Sequence, residues 1–324
     1  MAKVLLTGVA GFIAHRTCEL LLEQGYEVVG IDNLNDYYDI SLKKFRLSLL
    51  ENKKGFEFLP LDIEDKDGLE NLFTKHKFDS IFNLAARAGV RYSLENPDIY
   101  ISTNTQGNLN LLNLAKKHKV KKFIMASTSS LYAGHEMPFL ESLNVNRPIS
   151  PYASSKSGAE SMAYTYHHLY GIDVSVVRYF TVYGPLSRPD MAQMRFMRWI
   201  DEGEEIQLYG DGKQSRDFTY IDDIARGTIM AEKELGYEII NLGGGINPIS
   251  MIEMIKNYEG LLGKTAKIKN LPFNKADMLV TMANIDKAKK LLDWEPEINF
   301  EQGIEKSVKH YQDHKNFYLN INLN

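Results

Sequence analysis

The first 180 residues alternate between short apolar runs and longer segments with helical periodicity. The apolar runs have the length and composition of buried β-strands, and they lie at 3–8, 27–32, 56–63, 80–86, 121–128 and 173–180. The segments between them place apolar residues at helical spacing, notably at 12–24, 40–52, 65–76, 99–118 and 152–170. Strands that are apolar throughout and separated by helices indicate a parallel sheet covered on both faces. The pattern therefore predicts an α/β fold with a Rossmann-type, doubly wound parallel sheet.

A glycine-rich turn joins the first strand to the first helix. In TGVAGFIA (7–14), Gly8 and Gly11 are three residues apart, and the small Ala14 follows at the same spacing. A residue without a Cβ lets the backbone approach a pyrophosphate, and the helix N-terminus offers free N–H groups and partial positive charge. The second strand ends in Asp32, where a carboxylate can accept both ribose hydroxyls and would repel the 2′-phosphate of NADP. A tight turn without a ligand is the alternative, but the turn and the acid together favour NAD.

The pattern of the chain changes near residue 185. Later segments are shorter, and turn-rich stretches such as 209–214 and 241–248 interrupt them. We expect residues 1–185 to form an NAD-binding Rossmann domain and residues 186–324 to form mainly a smaller, substrate-binding lobe. Parts of 215–245 could return to the main sheet.

The composition argues against several classes of function. The net charge is -4 with no basic tract, so a nucleic-acid partner is not expected. No apolar stretch approaches the length of a membrane span, and the start, MAKVLLTGVAGF, has only a short apolar run broken by glycines. The single cysteine, Cys18, allows no internal disulfide, and the histidines are not spaced with acids as metal ligands are. We therefore expect a cytoplasmic protein without membrane or metal partners.

A candidate acid–base pair lies at the start of the helical segment 152–170. Tyr152 and Lys156 are one helical turn apart and therefore face the same way. The strand before them ends in Ser127 and Thr128, and open parallel sheets hold their ligands at the carboxyl ends of strands. A free tyrosine has a pKa of about 10, which a neighbouring ammonium and a cationic nicotinamide would lower. We expect Tyr152 to take a proton from a substrate hydroxyl that Thr128 or Ser127 holds, while hydride passes to nicotinamide.

The Tyr-x-x-x-Lys spacing also occurs at two other places in the chain. One match, Tyr209/Lys213, spans a Gly-Asp-Gly turn, and the other, Tyr311/Lys315, lies near the end of the sequence. Neither follows a strand that ends in hydroxyl residues. The setting, rather than the spacing, therefore favours the pair at 152 and 156.

Nine stretches are spread over nearly the whole chain. They read TGVAGFI, LDIED, NLAA, STSSLY, YASSK, RYFTVYGP, SRDFTYIDDIA, INLGGG and AKKLLDWEP. Together they resemble extended short-chain dehydrogenases/reductases, and specifically nucleotide-sugar epimerases. The resemblance implies cofactor contacts from Gly8, Gly11, Phe12, Ile13, Asp32, Asn33, Asp62, Ile63, Ala85, Ala86, Asn104, Tyr152 and Lys156. It implies substrate contacts from Arg91, Thr181, Arg188, Arg216, Asp277 and Thr281. It also implies a homodimer built on the helices at 99–118 and 152–170.

Two serines after Thr128 bear on the reaction. Relatives that dehydrate the sugar carry Asp-Glu immediately after the catalytic threonine, and decarboxylating relatives carry Glu two residues after it. The chain has Ser129 and Ser130 there, so neither acid is present. The resemblance therefore implies 4-epimerisation, in which NAD oxidises the sugar C4 to a ketone, the sugar rotates and hydride returns to its other face.

Arg188 bears most directly on the identity of the sugar. Three stretches, NDYYD, AGVRYS and FTVYGPLSRPD, resemble UDP-glucuronate 4-epimerases, which form UDP-galacturonate. In that interpretation Arg188 makes a forked contact with the C6 carboxylate; the alternative is a surface arginine in an Arg-Pro turn. UDP-glucose or UDP-N-acetylglucosamine stays open as the alternative substrate. The small Thr281 stands where glucose-restricted relatives have a bulky residue. A non-catalytic nucleotide-sugar sensor with the same fold also stays open.

Overall fold

The computed structural model describes residues 2–273 and 278–323 as an α/β fold. Its strands are β1 (Lys3–Thr7), β2 (Glu27–Asp32), β3 (Phe56–Pro60), β4 (Ser80–Asn83), β5 (Lys122–Thr128), β6 (Asp173–Tyr179), β7 (Thr181–Tyr183), β8 (Glu205–Tyr209), β9 (Ser215–Arg216), β10 (Phe218–Tyr220), β11 (Tyr237–Leu242), β12 (Ile249–Ser250) and β13 (Lys267–Leu271). Its helices are α1 (Phe12–Glu23), α2 (Ile40–Ser48), α3 (Lys66–Lys75), α4 (Val90–Glu95), α5 (Pro97–Tyr100), α6 (Asn108–His118), α7 (Pro151–Tyr170), α8 (Ala192–Glu202), α9 (Ile221–Met230), α10 (Met251–Leu262), α11 (Asp286–Leu292), α12 (Phe300–Asp313) and α13 (Lys315–Leu319).

The main sheet has the strand order β3-β2-β1-β4-β5-β6-β11, and every neighbouring pair is parallel. The predicted doubly wound sheet is thereby confirmed. The strand order reverses between β1 and β4. Ligands of such sheets bind at this switch point, outside the carboxyl ends of the strands.

Two hydrophobic cores cover the two faces of this sheet. Successive side chains of a strand point to opposite faces, so Leu6 of β1 belongs to one core and Leu5 to the other. Helices α1 and α9 close the first core, and α3, α6 and α7 close the second. Both leucines are fully buried, which explains why the strands are apolar without alternation.

The second half of the chain builds small two-stranded sheets and then returns to the main one. β7 pairs with β10, β8 with β13, and β9 with β12. β11 pairs with β6 over six residues and forms the edge of the main sheet. In the part of the chain that the structure describes, no helix has both the length and the hydropathy to cross a bilayer. The division into a cofactor domain and a substrate lobe stays a prediction.

Two elements near the switch point differ from their predicted bounds. The strand predicted over 80–86 ends at Asn83, because the next amides turn away from the ladder and Ala85 N donates to Thr7 Oγ1 at 3.0 Å. The helix predicted over 99–118 consists of α5, a π-helical segment at Ile101–Gly107, and α6. π-Helical turns are frequent at functional sites, and this one carries Asn104.

Candidate active site

The glycine turn between β1 and α1 is packed closely against the chain that leaves β4. Gly8 has a φ of +72°, and a Cβ built on it would lie 2.8 Å from the Ala85 Cα. A Cβ on Gly11 would lie 2.8 Å from the Gly8 carbonyl oxygen. Because Gly11 is the N-cap of α1 and has no side chain, the amides of Phe12 and Ile13 open the helix without a capping group. The turn therefore fits a pyrophosphate, which such amides can bind.

Asp32 lies at the carboxyl end of β2, beside this turn, and is 7% exposed. Its Oδ2 accepts from Ala10 N at 3.2 Å, and its Oδ1 accepts from Leu34 N at 2.8 Å. The ammonium of Lys43 is 3.6 Å from Asp32 Oδ1. These contacts hold the Asp32 side chain in place beside the glycine turn.

The other predicted cofactor residues surround the same end of the sheet. Asn33 Nδ2 donates to Asp62 Oδ2 at 2.6 Å, which joins the ends of β2 and β3. Ile63 is buried and packs against Gly107 of the π-helical segment. Ala85 is half-buried and Ala86 is exposed, both in the segment that follows β4.

Tyr152, Lys156 and Thr128 come together where β5 ends and α7 begins. Ser150 caps α7 by accepting from Ala153 N at 3.2 Å, so Tyr152 lies in the first helical turn. Burial raises the pKa of Tyr152 above its usual range, and its hydrogen bond with Thr128 and the charge of Arg188 oppose that rise.

Lys156 is 4% exposed, and its Nζ donates to Ala126 O at 2.9 Å. Burial lowers the pKa of Lys156 to about 8, and the nearby Glu160 carboxylate opposes that change. The cluster therefore offers a phenol, a hydroxyl and an ammonium at one place, as proton transfer to and from a sugar hydroxyl requires.

Ser127 is placed differently from Thr128. Its hydroxyl donates to Glu160 Oε1 at 2.5 Å, beneath the cluster. Thr128 is thus the predicted hydroxyl that contacts Tyr152, and the structure favours it over Ser127 as the group that meets a substrate.

Asn104 connects the chain after β4 to the start of α7. Its Oδ1 accepts from Arg87 N at 2.8 Å, and its Nδ2 donates to Ser155 Oγ at 2.9 Å. Ser155 Oγ in turn donates to Tyr152 O at 2.8 Å. The amide group therefore fixes the position of the helix turn that carries Tyr152.

Arg188 lies in the segment between β7 and α8, close to Tyr152. Its Nε and Nη2 form a fork with Asp190, at 2.9 and 2.7 Å, and its guanidinium lies over the Tyr37 ring at 5.6 Å. The side chain is only 19% exposed, so it is no ordinary surface arginine. The hydrogen bonds of this fork offset the cost of removing the two charges from water. Burial alone would raise the pKa of Asp190, but the charge and hydrogen bonds of Arg188 hold it below its usual range.

The remaining predicted substrate residues occupy the second half of the chain and α4. Arg91 stacks on the ring of Tyr209, 4.0 Å from its centroid, which joins α4 to the end of β8. Thr181 begins β7 and is half-buried, and Arg216 ends β9. Thr281 is 2% exposed and its hydroxyl accepts from Asp217 N at 3.2 Å. Asp277 lies outside the described residues.

A protein-family model matches nearly the whole chain. It is the model for GDP-mannose 4,6 dehydratase, and it matches residues 5–307. The chain belongs to this family. The prediction of an extended short-chain dehydrogenase/reductase is confirmed.

Within the family, the similar proteins include sugar epimerases. A UDP-glucuronate 4-epimerase of Thermodesulfobacterium geofontis is 57% identical over 308 residues, which are 95% of each chain. The crystal structure of UDP-glucuronic acid 4-epimerase from Bacillus cereus, in complex with UDP-glucuronic acid and NAD, is 36% identical, with a TM-score of 0.90 over 96% of this chain and 99% of that one. UDP-glucose 4-epimerase from Thermotoga maritima, with UDP-glucose, is 30% identical, with a TM-score of 0.87 over 97% and 99%.

In the two other Tyr-x-x-x-Lys pairs the tyrosine and the lysine have other partners than the cluster at β5 and α7. Tyr311 donates to Asp201 Oδ2 at 2.8 Å, and Lys315 forms an ion pair with the same carboxylate at 2.7 Å. Tyr209 lies under Arg91, and the Lys213 side chain is 86% exposed.

Four residues at this short-chain dehydrogenase/reductase site were not predicted from the sequence. Tyr37 and Asp190 hold Arg188, while Glu160 and Arg178 form a fork beneath Lys156. Glu160 could have been predicted from its spacing, because it extends the row of Tyr152 and Lys156 by one more helical turn. Arg178 could also have been predicted, since a charged residue inside a buried strand needs a partner of opposite charge.

Proposed function

We propose that this protein is an NAD-dependent UDP-glucuronate 4-epimerase, which interconverts UDP-glucuronate and UDP-galacturonate. The observation that carries the proposal is the position of Arg188, a largely buried cation whose charge acts on Tyr152. A guanidinium beside the proton-transfer group suits a sugar whose C6 is a carboxylate next to the reacting carbon. The similarity to UDP-glucuronate 4-epimerases supports the same conclusion.

The residues around the switch point would hold the cofactor. The turn at Gly8 and Gly11 and the first amides of α1 would bind the pyrophosphate, and Asp32 would bind the adenosine ribose. The others proposed around it are Phe12, Ile13, Asn33, Asp62, Ile63, Ala85, Ala86, Asn104, Tyr152 and Lys156. Bound NAD would supply the oxidant for C4 of the sugar and the hydride that returns to it.

Tyr152 would take the proton of the sugar 4-hydroxyl and return it. Thr128, which bonds to the phenol, would hold the same substrate oxygen, and the ammonium of Lys156 would favour the phenolate. Ser129 and Ser130 offer no acid that could expel a sugar hydroxyl or assist decarboxylation. Simple epimerisation is therefore the reaction that these side chains support best.

The second half of the chain, together with α4, would bind the UDP-sugar. We propose that Arg216 and Asp277 contact the diphosphate and ribose of the nucleotide, and that Arg91, Thr181 and Thr281 line the sugar site. In this division residues 1–185 serve mainly the cofactor and residues 186–324 mainly the substrate.

Turnover of a panel of UDP-sugars tests the proposal. We expect UDP-glucuronate to give UDP-galacturonate with the highest kcat/KM, ahead of UDP-glucose and UDP-N-acetylglucosamine. A preference for either uncharged sugar would assign the chain to that epimerase instead. No turnover of any of them, with binding retained, would indicate a nucleotide-sugar sensor.

Gly8→Ala tests the cofactor site. Wild-type protein purified without added cofactor is expected to release NAD, rather than NADP, on denaturation. In Gly8→Ala the new Cβ meets backbone 2.8 Å away, so the turn must open and most of the NAD should be lost. Gly203→Ala is the matched control, because Gly203 has a φ of +73° but no atom within 4 Å of a built Cβ. Both variants should lose about 1–2 kcal/mol of stability to backbone strain, and equal NAD contents would contradict the assignment.

We also propose a cytoplasmic homodimer that associates through α6 and α7. The exposed apolar side chains of α7 support this interface: Tyr164 is 52%, Leu169 59% and Tyr170 45% exposed. Sedimentation velocity should give about twice the 37.0 kDa chain mass. Leu169→Glu should shift the protein toward monomer, and an unchanged mass would place the interface elsewhere.

A further inference from the structure

A buried ion pair lies directly beneath the proposed catalytic cluster. Arg178 Nε donates to Glu160 Oε1 at 2.9 Å, and its Nη2 donates to Glu160 Oε2 at 2.6 Å. The two side chains are 2% and 7% exposed. Such a pair is strongly desolvated, so it contributes little net stability compared with apolar residues of the same size.

The carboxylate of this pair joins three elements of the site. It extends from α7 to Arg178 on β6, and it accepts from the Ser127 hydroxyl on β5 at 2.5 Å. Ser127 precedes Thr128, the residue that bonds to Tyr152. The carboxylate therefore sets the distance between the end of β5 and the helix that carries the phenol.

The same carboxylate is the last member of a row on α7. Tyr152, Lys156 and Glu160 follow each other at intervals of four residues, so they share one face of the helix. Lys156 has 4% exposure and a carbonyl, Ala126 O, as its hydrogen-bond acceptor. Glu160 is thus an anion on the same helix face as Lys156, and its charge opposes the lowering of the Lys156 pKa by burial.

Other titratable groups face this row from the elements packed against α7. They are Tyr37, Tyr100 of α5, Tyr132 in the turn after β5, Arg178 of β6, Arg188 and Tyr237 of β11. Glu141 lies beyond them, where it accepts from Asn241 N and acts on Tyr132. Burial raises the pKa of Tyr132 to about 12, and burial also raises the pKa values of Tyr100 and Tyr237, so these phenols stay neutral between pH 6 and 9. Arg178 and Arg188 stay cationic there.

We infer that Glu160 is a positioning residue of the active site, which holds Ser127 and Arg178 against α7 and keeps a negative charge beside Lys156. In the proposed reaction Lys156 must be an ammonium to favour the phenolate of Tyr152. Glu160 supplies the anion that keeps it so in a buried place. The inference deepens the proposed function and rests on it for its kinetic part.

The ionisation of Lys156 is the direct test, and it needs no turnover. Protein carrying NAD and lysine labelled with ¹³C at Cε is titrated by NMR, with Lys156→Arg to assign the signal. In Glu160→Gln the carboxylate is gone and Arg178 is left uncompensated, so the pKa of Lys156 should fall by roughly one unit. Glu160→Asp keeps the negative charge, so in this variant the pKa of Lys156 should lie close to its wild-type value. An unchanged Lys156 pKa in Glu160→Gln overturns the inference.

Ser127→Ala is the matched control for the charge. It removes one hydrogen bond to the same carboxylate and leaves both charges in place, so the Lys156 pKa should stay at the wild-type value. Glu160→Gln/Arg178→Met covers the case in which the single variant does not fold, because it leaves no unpaired guanidinium. The pKa of Lys156 in this double variant should lie below that in Arg178→Met, which keeps the carboxylate, and equal pKa values in the two would again overturn the inference.

The pH profile of kcat/KM with UDP-glucuronate gives the functional counterpart. The alkaline limb reports loss of the Lys156 proton, so in Glu160→Gln it should move to lower pH by the same amount as the NMR titration. A uniform loss of rate with an unshifted limb would mean that Glu160 is only structural. A wild type that turns over no UDP-sugar would refute the proposed function, while the NMR titration would still decide the role of Glu160.

Discussion

Tyr152→Phe is expected to lose a hundredfold or more of the epimerase turnover while keeping the fold and the bound NAD. Phenylalanine fills the same half-buried place at the start of α7 and preserves the ring contact with Tyr100. It has no hydroxyl to take the proton of the sugar, and a positioned acid–base group typically contributes 10²–10⁴-fold. The measurements are kcat with UDP-glucuronate and the NAD released on denaturation.

Tyr209→Phe and Tyr311→Phe are the controls for that variant. Both belong to the same Tyr-x-x-x-Lys spacing, but Tyr209 contacts Arg91 through its ring, which phenylalanine retains, and Tyr311 is bonded to Asp201. We expect both to turn over sugar at nearly the wild-type rate. Wild-type turnover in Tyr152→Phe would instead reduce the pair of Tyr152 and Lys156 to a coincidence of spacing.

The parts of this site that follow from short-range rules could be predicted from the sequence. The glycine turn and the tyrosine–lysine row depend on residues only a few positions apart. The place of the acid at the end of β2 follows from the rule that parallel strands end at one edge of the sheet. The different directions of the Ser127 and Thr128 side chains could also be predicted from the geometry of a β-strand. Adjacent strand residues point to opposite faces, so Ser127 and Thr128 could not both face Tyr152.

The parts that depend on packing between distant segments could not be predicted. Glu160 meets Arg178 because β6 lies beside β5 under α7, and Arg188 meets Tyr37 because two loops converge above the sheet. The periodicity of apolar residues identifies the helices and strands, but it does not show which loops contact each other in the folded protein. The fork between Arg188 and Asp190 is local, yet an Arg-x-Asp sequence is equally typical of an exposed turn.

Arg188→Ala is expected to reduce kcat/KM for UDP-glucuronate by about one to two orders of magnitude more than for UDP-glucose. A charge-assisted hydrogen bond contributes roughly 1.5–3 kcal/mol, which corresponds to that factor. An uncharged hydroxymethyl at C6 cannot use the guanidinium charge, so UDP-glucose loses little when the side chain is removed. Because Nε and Nη2 of Arg188 are bonded to Asp190, the sugar carboxylate would meet the Nη1 side of a guanidinium already held in place.

Arg188→Lys should recover only part of the loss, because a point charge can neither form the fork with Asp190 nor present a planar edge to the carboxylate. The measurement is kcat/KM for both sugars in the wild type and in the two variants. Arg216→Ala is the control, since its proposed contact is to the diphosphate that both sugars share, and it should weaken both by the same factor. Equal losses for the two sugars in Arg188→Ala would show that Arg188 holds the nucleotide or the loop around Asp190, because only a contact to C6 can distinguish a carboxylate from a hydroxymethyl.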